Sequence, residues 1–218
     1  FTFGTYSVDA THSIVSFSYE VELTNGKIKT YVDKLYLNDV SPELWDKIPK
    51  SVLEPTLQAL LIILGINYWV VFPTKNIKIK GFFLTRDQAQ FWDSIYLNGL
   101  AEFFYLMKMD FHDLISFPYD DSAVAPKPTQ FLRPRRALLL NGAGKDSILS
   151  AEILKESDTP FDLFAFAPSR AHERIGKIIG AKTITVSRRR DQRLKIIATI
   201  NRISSAYPSV TTFTFIAT

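Results

Sequence analysis

Arg136-Ala137-Leu138-Leu139-Leu140-Asn141-Gly142-Ala143-Gly144-Lys145-Asp146-Ser147 packs an apolar strand, a small-residue corner and the start of a helix into one short stretch. Arg136 to Leu140 reads as the strand, and Asp146 to Glu156 as the helix that follows it. Small residues at the corner let backbone amides approach an anion closely. The helix aims its unpaired N–H groups and the positive end of its dipole at the same point, where Lys145 and Ser147 add a charge and a hydroxyl. The ligand such a corner suits is phosphate. A Walker A loop would need Gly five positions before the Gly-Lys pair, where this chain has Leu139, and a dinucleotide fingerprint would need Gly at position 147, which is Ser.

Outward from that corner the rhythm is regular. Strand Asp162 to Ala167, helix Ala171 to Ile179, strand Thr183 to Val186, helix Arg193 to Ser205 and strand Thr211 to Ile216 succeed one another, and such alternation implies a parallel sheet with right-handed crossovers. Upstream, Asp120 to Pro134 has the Asp- and Pro-rich, aperiodic composition of a loop or linker. Of the 29 aromatic residues, 22 precede position 131. Different cores are therefore expected on the two sides, with an α+β domain at 1–130 and the strand-helix domain at 131–218. In the first region Ile14 to Leu23 alternates, Asn25-Gly26 supplies a turn and Lys27 to Leu37 alternates again, which predicts a β-hairpin. Ser41-Pro42-Glu43 opens a helix, Glu54 to Leu64 is a buried helix with Gly65 at its C-terminus, and Lys75 to Leu84 is a strand. Thr85 and Gln88 form a capping box for a helix from Arg86 to about Lys108.

The composition excludes several classes. With 46% apolar and 22% charged residues the 218-residue chain has ample core, so wholesale disorder is excluded. The longest apolar run, Ala59 to Val71, is interrupted by Gly65 and Asn67, so no membrane span is expected. The absence of Cys closes thiolate metal sites, iron–sulfur clusters and cysteine nucleophiles, and suggests the cytoplasm. The net charge of +4 is a weak argument for nucleic acid, but residues 182–202 set Lys182, Arg188, Arg189, Arg190, Arg193, Lys195 and Arg202 against Asp191 alone. The chain starts at Phe1 without an initiator Met and closes on a strand-like run, which suggests a fragment truncated at its C-terminus.

Gly142-Ala143-Gly144-Lys145-Asp146-Ser147 resembles the PP-loop of ATP pyrophosphatases, with Ala143 the one departure. The chain is most similar to the UDP-N-acetylmuramoyl-L-alanyl-L-glutamate epimerase family. That likeness lies in Gly65 to Trp69, Gln88 to Trp92, Tyr96 to Tyr105, the loop itself and Arg188 to Leu194. At the approach to the fourth strand the family carries Asn-Gly-His, where this chain has Ser204-Ser205-Ala206 before Tyr207-Pro208.

The resemblance implies an α/β fold: a parallel PP-loop sheet ordered 3-2-1-4, helices on both faces, and a smaller hairpin-bearing α+β domain before it. It implies ATP and Mg2+, with Asn141, Gly142, Ala143, Gly144, Lys145, Asp146 and Ser147 around the phosphates and Ala167, Pro168 and Ser169 near the base. Asp146 would also be the metal ligand. Lys145, Asp146, Arg188 and Asp191 would serve catalysis, with Arg188 on a phosphate or carboxylate and Asp191 orienting it. The reaction implied is adenylation and inversion of a terminal L-glutamate on a nucleotide-sugar peptide. A tRNA-modifying adenylating enzyme and a degenerate nucleotide-binding module are the alternatives, with nucleic acid the weaker partner. Arg189, Arg190 and Arg193 read as a solvated or diphosphate-facing patch.

His12, His112 and His172 stand at no metal-ligand spacing and read as structural or solvated. Glu102, among aromatics on a helix that reads as buried, is a lesser catalytic candidate.

Overall fold

The computed structural model describes residues 1–127, 135–204 and 214–217. Alternation at the start of the chain builds three antiparallel strands: β1 (Thr2–Asp9), which the sequence reading missed, β2 (Ile14–Glu22) and β3 (Ile28–Leu37). In β2, Val15, Phe17, Tyr19 and Val21 are buried and the residues between them face the opposite side, as the period of two requires. Gly26 closes the β2–β3 turn at φ +74°, a left-handed conformation that costs glycine nothing. The expected strand over Lys75 to Leu84 contracts to β4 (Lys78–Ile79), which pairs parallel with β1. Gly81, at φ +87°, turns the chain away directly afterwards.

Two helices precede the middle of the chain, α1 (Pro42–Trp45) and α2 (Lys50–Trp69). Gly65 does not cap α2 but lies inside it. A Cβ there would run into the rings of Phe3 and Tyr19, so Gly65 sets how closely the helix presses on the sheet. Among the described residues α2 is the one helix long and apolar enough to cross a membrane by length and composition. Here every residue from Leu60 to Trp69 is buried, with the helix packed against β1 and β2. The capping box of Thr85 and Gln88 starts α3 (Arg86–Gly99), with Thr85 Oγ1 accepting the Gln88 N–H and Gln88 Oε1 accepting the Thr85 N–H. The expected run to Lys108 breaks at Leu100 after the poor helix formers Asn98 and Gly99, and resumes as α4 (Ala101–Met107). Glu102 is exposed there rather than buried.

The second region forms β5 (Ala137–Leu140), α5 (Lys145–Glu156), β6 (Phe161–Phe166), α6 (Arg170–Ile179), β7 (Thr183–Arg189) and α7 (Gln192–Ile200). β5, β6 and β7 are parallel, in the spatial order β7-β6-β5. Ala151 of α5 and Ile179 of α6 pack with Leu163 on one sheet face, while Leu194 and Ala198 of α7 join Phe164, Val186 and the α2 core on the other. Of the expected fourth strand, Thr211 to Phe213 lie outside the described residues. Residues 214–217 are helical, not extended, and Phe215 packs on Trp92 with ring centroids 5.4 Å apart. Pro128 to Pro134 and Ser205 to Pro208 also lie outside the described residues.

The sheet as a whole is mixed rather than purely parallel. β7 pairs antiparallel with β3, so one seven-stranded sheet runs β4-β1-β2-β3-β7-β6-β5 through both regions.

Candidate functional site

The corner quoted at the outset stands at the carboxyl end of β5, where ligands of open α/β sheets bind. Asn141 is 4% exposed and organises it. Its N–H donates to Phe164 O (2.8 Å), carrying the ladder one residue past β5, its Oδ1 accepts the Ala143 N–H (2.9 Å), and its Nδ2 donates to His172 O (3.3 Å). The last bond ties the corner to the first turn of α6. Ser147 is nearly as buried, and its Oγ accepts the Gly142 N–H at 2.9 Å. Asn141 and Ser147 therefore hold the loop in shape rather than reaching outward.

Gly142 and Gly144 are exposed, and an added Cβ would meet nothing nearer than Ser147 Oγ at 3.9 Å from Gly142 and nothing within 4 Å at Gly144. Neither has a positive φ, so what they leave is open space; with the Gly142 and Ala143 N–H groups taken by Ser147 and Asn141, the amides that space could offer an anion are those of the α5 start. Ala143 takes the strained position instead, at φ +56°. The helix start itself is uncovered: Gly144 is the N-cap of α5 and no side chain caps it. At the other helix starts near this edge, His172 Nδ1 accepts the Ser169 N–H (3.1 Å) on α6, and Asp191 Oδ1 accepts the Arg193 N–H (3.0 Å) on α7. Lys145 and Asp146 are exposed on the first turn of α5. Ala167, Pro168 and Ser169 are exposed at the neighbouring carboxyl end of β6, where Ala167 also has a positive φ of +49°.

Arg188 and Asp191 are placed differently. Arg188 points into the face covered by α2, where its Nε donates to Asp33 Oδ2 (3.0 Å), its Nη1 to Asn67 Oδ1 (2.6 Å) and its Nη2 to Leu64 O (3.0 Å). The side chain of Asp33 is fully buried and that of Arg188 is 8% exposed. Burial pushes the Asp33 carboxyl up, with the Arg188 charge pulling against it. Burial also works against the Arg188 charge, but the carboxylate beside it leaves the guanidinium raised overall. Arg188 is thus a cross-link between β7, β3 and α2, with its fork of donors turned away from the β5–α5 corner. Asp191 accepts the Val32 N–H (3.3 Å) and the Arg193 guanidinium (2.7 Å), which lowers its pKa, while its own N–H donates to Tyr68 Oη (3.1 Å). It joins α7 to β3. Asn67 and Tyr68, which the sequence reading left beyond the end of the helix, lie inside α2 and are the partners of these two residues; a buried Asn beside an aromatic run is the one hint the sequence offers.

The structure therefore brings Asn141 to Ser147 and Ala167 to Ser169 together and assigns Arg188 and Asp191 to the seam between the two regions. A separate concavity of about 510 Å3, lined by Thr2, Lys78, Phe82, Phe83 and Tyr119 among others, lies at the opposite sheet edge and holds none of the residues singled out from sequence. Among the described residues no group of His, Asp and Glu side chains is arranged to hold a metal by itself.

The class the fold defines is α/β, a mixed seven-stranded sheet whose β5–α5 corner presents an uncapped, glycine-flanked helix start. Over residues 1–202 the sequence matches the MurL N-terminal domain, and the chain belongs to that family. It is similar to proteins named UDP-N-acetyl-alpha-D-muramoyl-L-alanyl-L-glutamate epimerase from three bacteria. The Xanthomonas oryzae pv. oryzae protein is 35% identical over 107 residues, covering 49% of this chain and 24% of that protein. The Salinispora tropica protein is 28% identical over 193 residues (88% and 41%), and the Micromonospora protein 26% over 196 residues (88% and 42%). The chain thus spans less than half the length of these relatives. No solved structure matches it.

Proposed function

We propose that this chain is the ATP-gripping part of an epimerase that adenylates and inverts the terminal L-glutamate of UDP-N-acetylmuramoyl-L-alanyl-L-glutamate, in the cytoplasmic synthesis of peptidoglycan precursors. The observation that carries the reading is the bare start of α5, flanked by open space at Gly142 and Gly144, in a chain of this family. The N–H groups of the uncapped first turn of α5 and Lys145 hold the β- and γ-phosphates, and Ala167 to Ser169 border the base. Asp146 suits Mg2+, which supplies positive charge against the triphosphate when bound. A glutamate carboxylate oxygen attacks the α-phosphorus, the bond from that phosphorus to the bridging oxygen breaks, and pyrophosphate leaves. The resulting acyl adenylate draws electrons from the α-carbon, and its proton becomes easier to remove. A proton returned to the opposite face of the α-carbon inverts the centre, and water at the acyl carbon then releases AMP and the product.

The test is calorimetry and turnover with the intact protein. Lys145→Ala should weaken ATP binding by about 10- to 100-fold, because a charge-assisted contact contributes roughly 1.5–3 kcal/mol. AMP should be released only when the muramoyl dipeptide is present. Equal ATP affinity in wild type and variant would refute the loop's role, and turnover triggered by tRNA alone would refute the epimerase.

A further inference from the structure

On the sheet face opposite Arg188, two cations stand directly across from one another. Lys34 of β3 and Arg189 of β7 are register partners in the antiparallel β3·β7 pair. Both are exposed, and both point away from the buried side: Asp33 and Leu35 flank Lys34 on the core face, and Arg188 precedes Arg189 there. Directly opposed side chains of an antiparallel pair stand about 4.5–5.5 Å apart at Cβ, and like charges in that arrangement destabilise a sheet. Several exposed charges have partners, as in Lys80–Glu20, Arg86–Asp121, Arg136–Asp162 and Arg193–Asp191, and others stand alone in solvent; what sets Lys34 and Arg189 apart is that the ladder holds two like charges face to face. Lys34 and Arg189 take part in no ion pair or side-chain hydrogen bond among the described residues. A local rule broken without internal compensation marks a place where a ligand supplies the missing charge.

Their position fits one ligand chemistry. Arg189 ends β7 at the same carboxyl edge as the β5–α5 corner, two strand spacings away, or about 10 Å. α5 and α6 cover that same sheet face farther along. Between α6 and β7 lies a groove of about 380 Å3 lined by Pro168, His172, Thr183 and Thr185, among others. A substrate whose carboxylate sits at the corner would cross the end of β6 and bring its far end to β7 and β3. We propose that Lys34 and Arg189 form a diphosphate subsite that holds the nucleoside-diphosphate end of the substrate, outside the ATP site. The proposal rests on the epimerase reading for the identity of the ligand, but not for the existence of the anion site.

The experiment is titration of the intact protein with UDP, in the presence of saturating ATP, for wild type, Lys34→Ala, Arg189→Ala and the double variant. The subsite predicts UDP binding in wild type, a loss of about tenfold or more in each single variant, and unchanged ATP affinity in all of them. Lys34→Arg should restore binding. Without ligand, Lys34→Ala should raise the melting temperature by on the order of 1–3 °C at low salt, since it removes the like-charge opposition, and the gain should shrink as salt rises. Absence of UDP binding, equal UDP affinity in all variants, or a parallel loss of ATP affinity would each overturn the subsite. So would variants that lose only a salt-steep affinity for RNA. Failure of the epimerase reading looks different: UDP would still bind through the pair, while UDP-MurNAc-L-Ala-L-Glu would trigger no AMP release.

Discussion

Ala143 occupies a backbone conformation that L-residues avoid, between two glycines that do not need theirs for φ. A left-handed φ costs a non-glycine residue about 1–2 kcal/mol. Ala143→Gly should therefore raise the melting temperature by roughly 2–4 °C, and ATP should bind at least as tightly, since the methyl group leaves the corner. A lower melting temperature would show that Ala143 is packed rather than strained. The Asp33–Arg188 pair makes the opposite kind of demand. Asp33→Asn leaves a buried guanidinium without its counter-charge and should cost about 3–5 kcal/mol in denaturant unfolding. The double variant Asp33→Leu with Arg188→Met should recover much of that loss, and a double variant as unstable as the single would contradict the cross-link. The sequence reading ended the strand at Val186 and set Arg188 just beyond it, whereas β7 runs on to Arg189 and Arg188 pairs with Leu35 inside it; the direction of its side chain was illegible. Which face of β7 a residue takes depends on pairing with β3, 155 residues away.

At the scale of elements, what could be read were the features with local causes. The β2–β3 hairpin follows from alternation and from Gly26, the α3 cap from Thr85 and Gln88, and the β5–α5 corner from small residues beside an apolar strand. Misread elements had distant causes. Gly65 looked like a terminator because glycine commonly ends helices, whereas it is fixed by the approach of Phe3 and Tyr19 from the sheet. β4 was expected to be long because its residues alternate, but only Lys78 and Ile79 find a ladder partner in β1 before Gly81 turns the chain. Gly65→Ala should accordingly destabilise the fold by about 1–3 kcal/mol through overpacking of α2 against β1 and β2. Unchanged urea stability would mean that helix and sheet adjust freely there.

For the whole molecule, the sheet joins what composition divides. The aromatic-rich first region and the strand-helix second region share the β3·β7 ladder, the Asp33–Arg188–Asn67 network and the Asp191–Val32 bond. No local signal announces such a junction, because an antiparallel partner of β7 can be any exposed strand edge in the chain. The shape of the β5–α5 corner was legible because its residues are contiguous in sequence; Lys34 and Arg189 were not legible as a pair because only the register makes them neighbours. The central claim is that the corner activates a glutamate carboxylate by adenylation. It is tested most directly by giving the intact protein ATP and UDP-MurNAc-L-Ala-L-Glu labelled with 18O in the terminal glutamate's α-carboxylate, and weighing the AMP released. Attack by that carboxylate on the α-phosphorus, followed by water at the acyl carbon, predicts AMP carrying one labelled oxygen; unlabelled AMP, or inversion of the glutamate without any AMP, would contradict it.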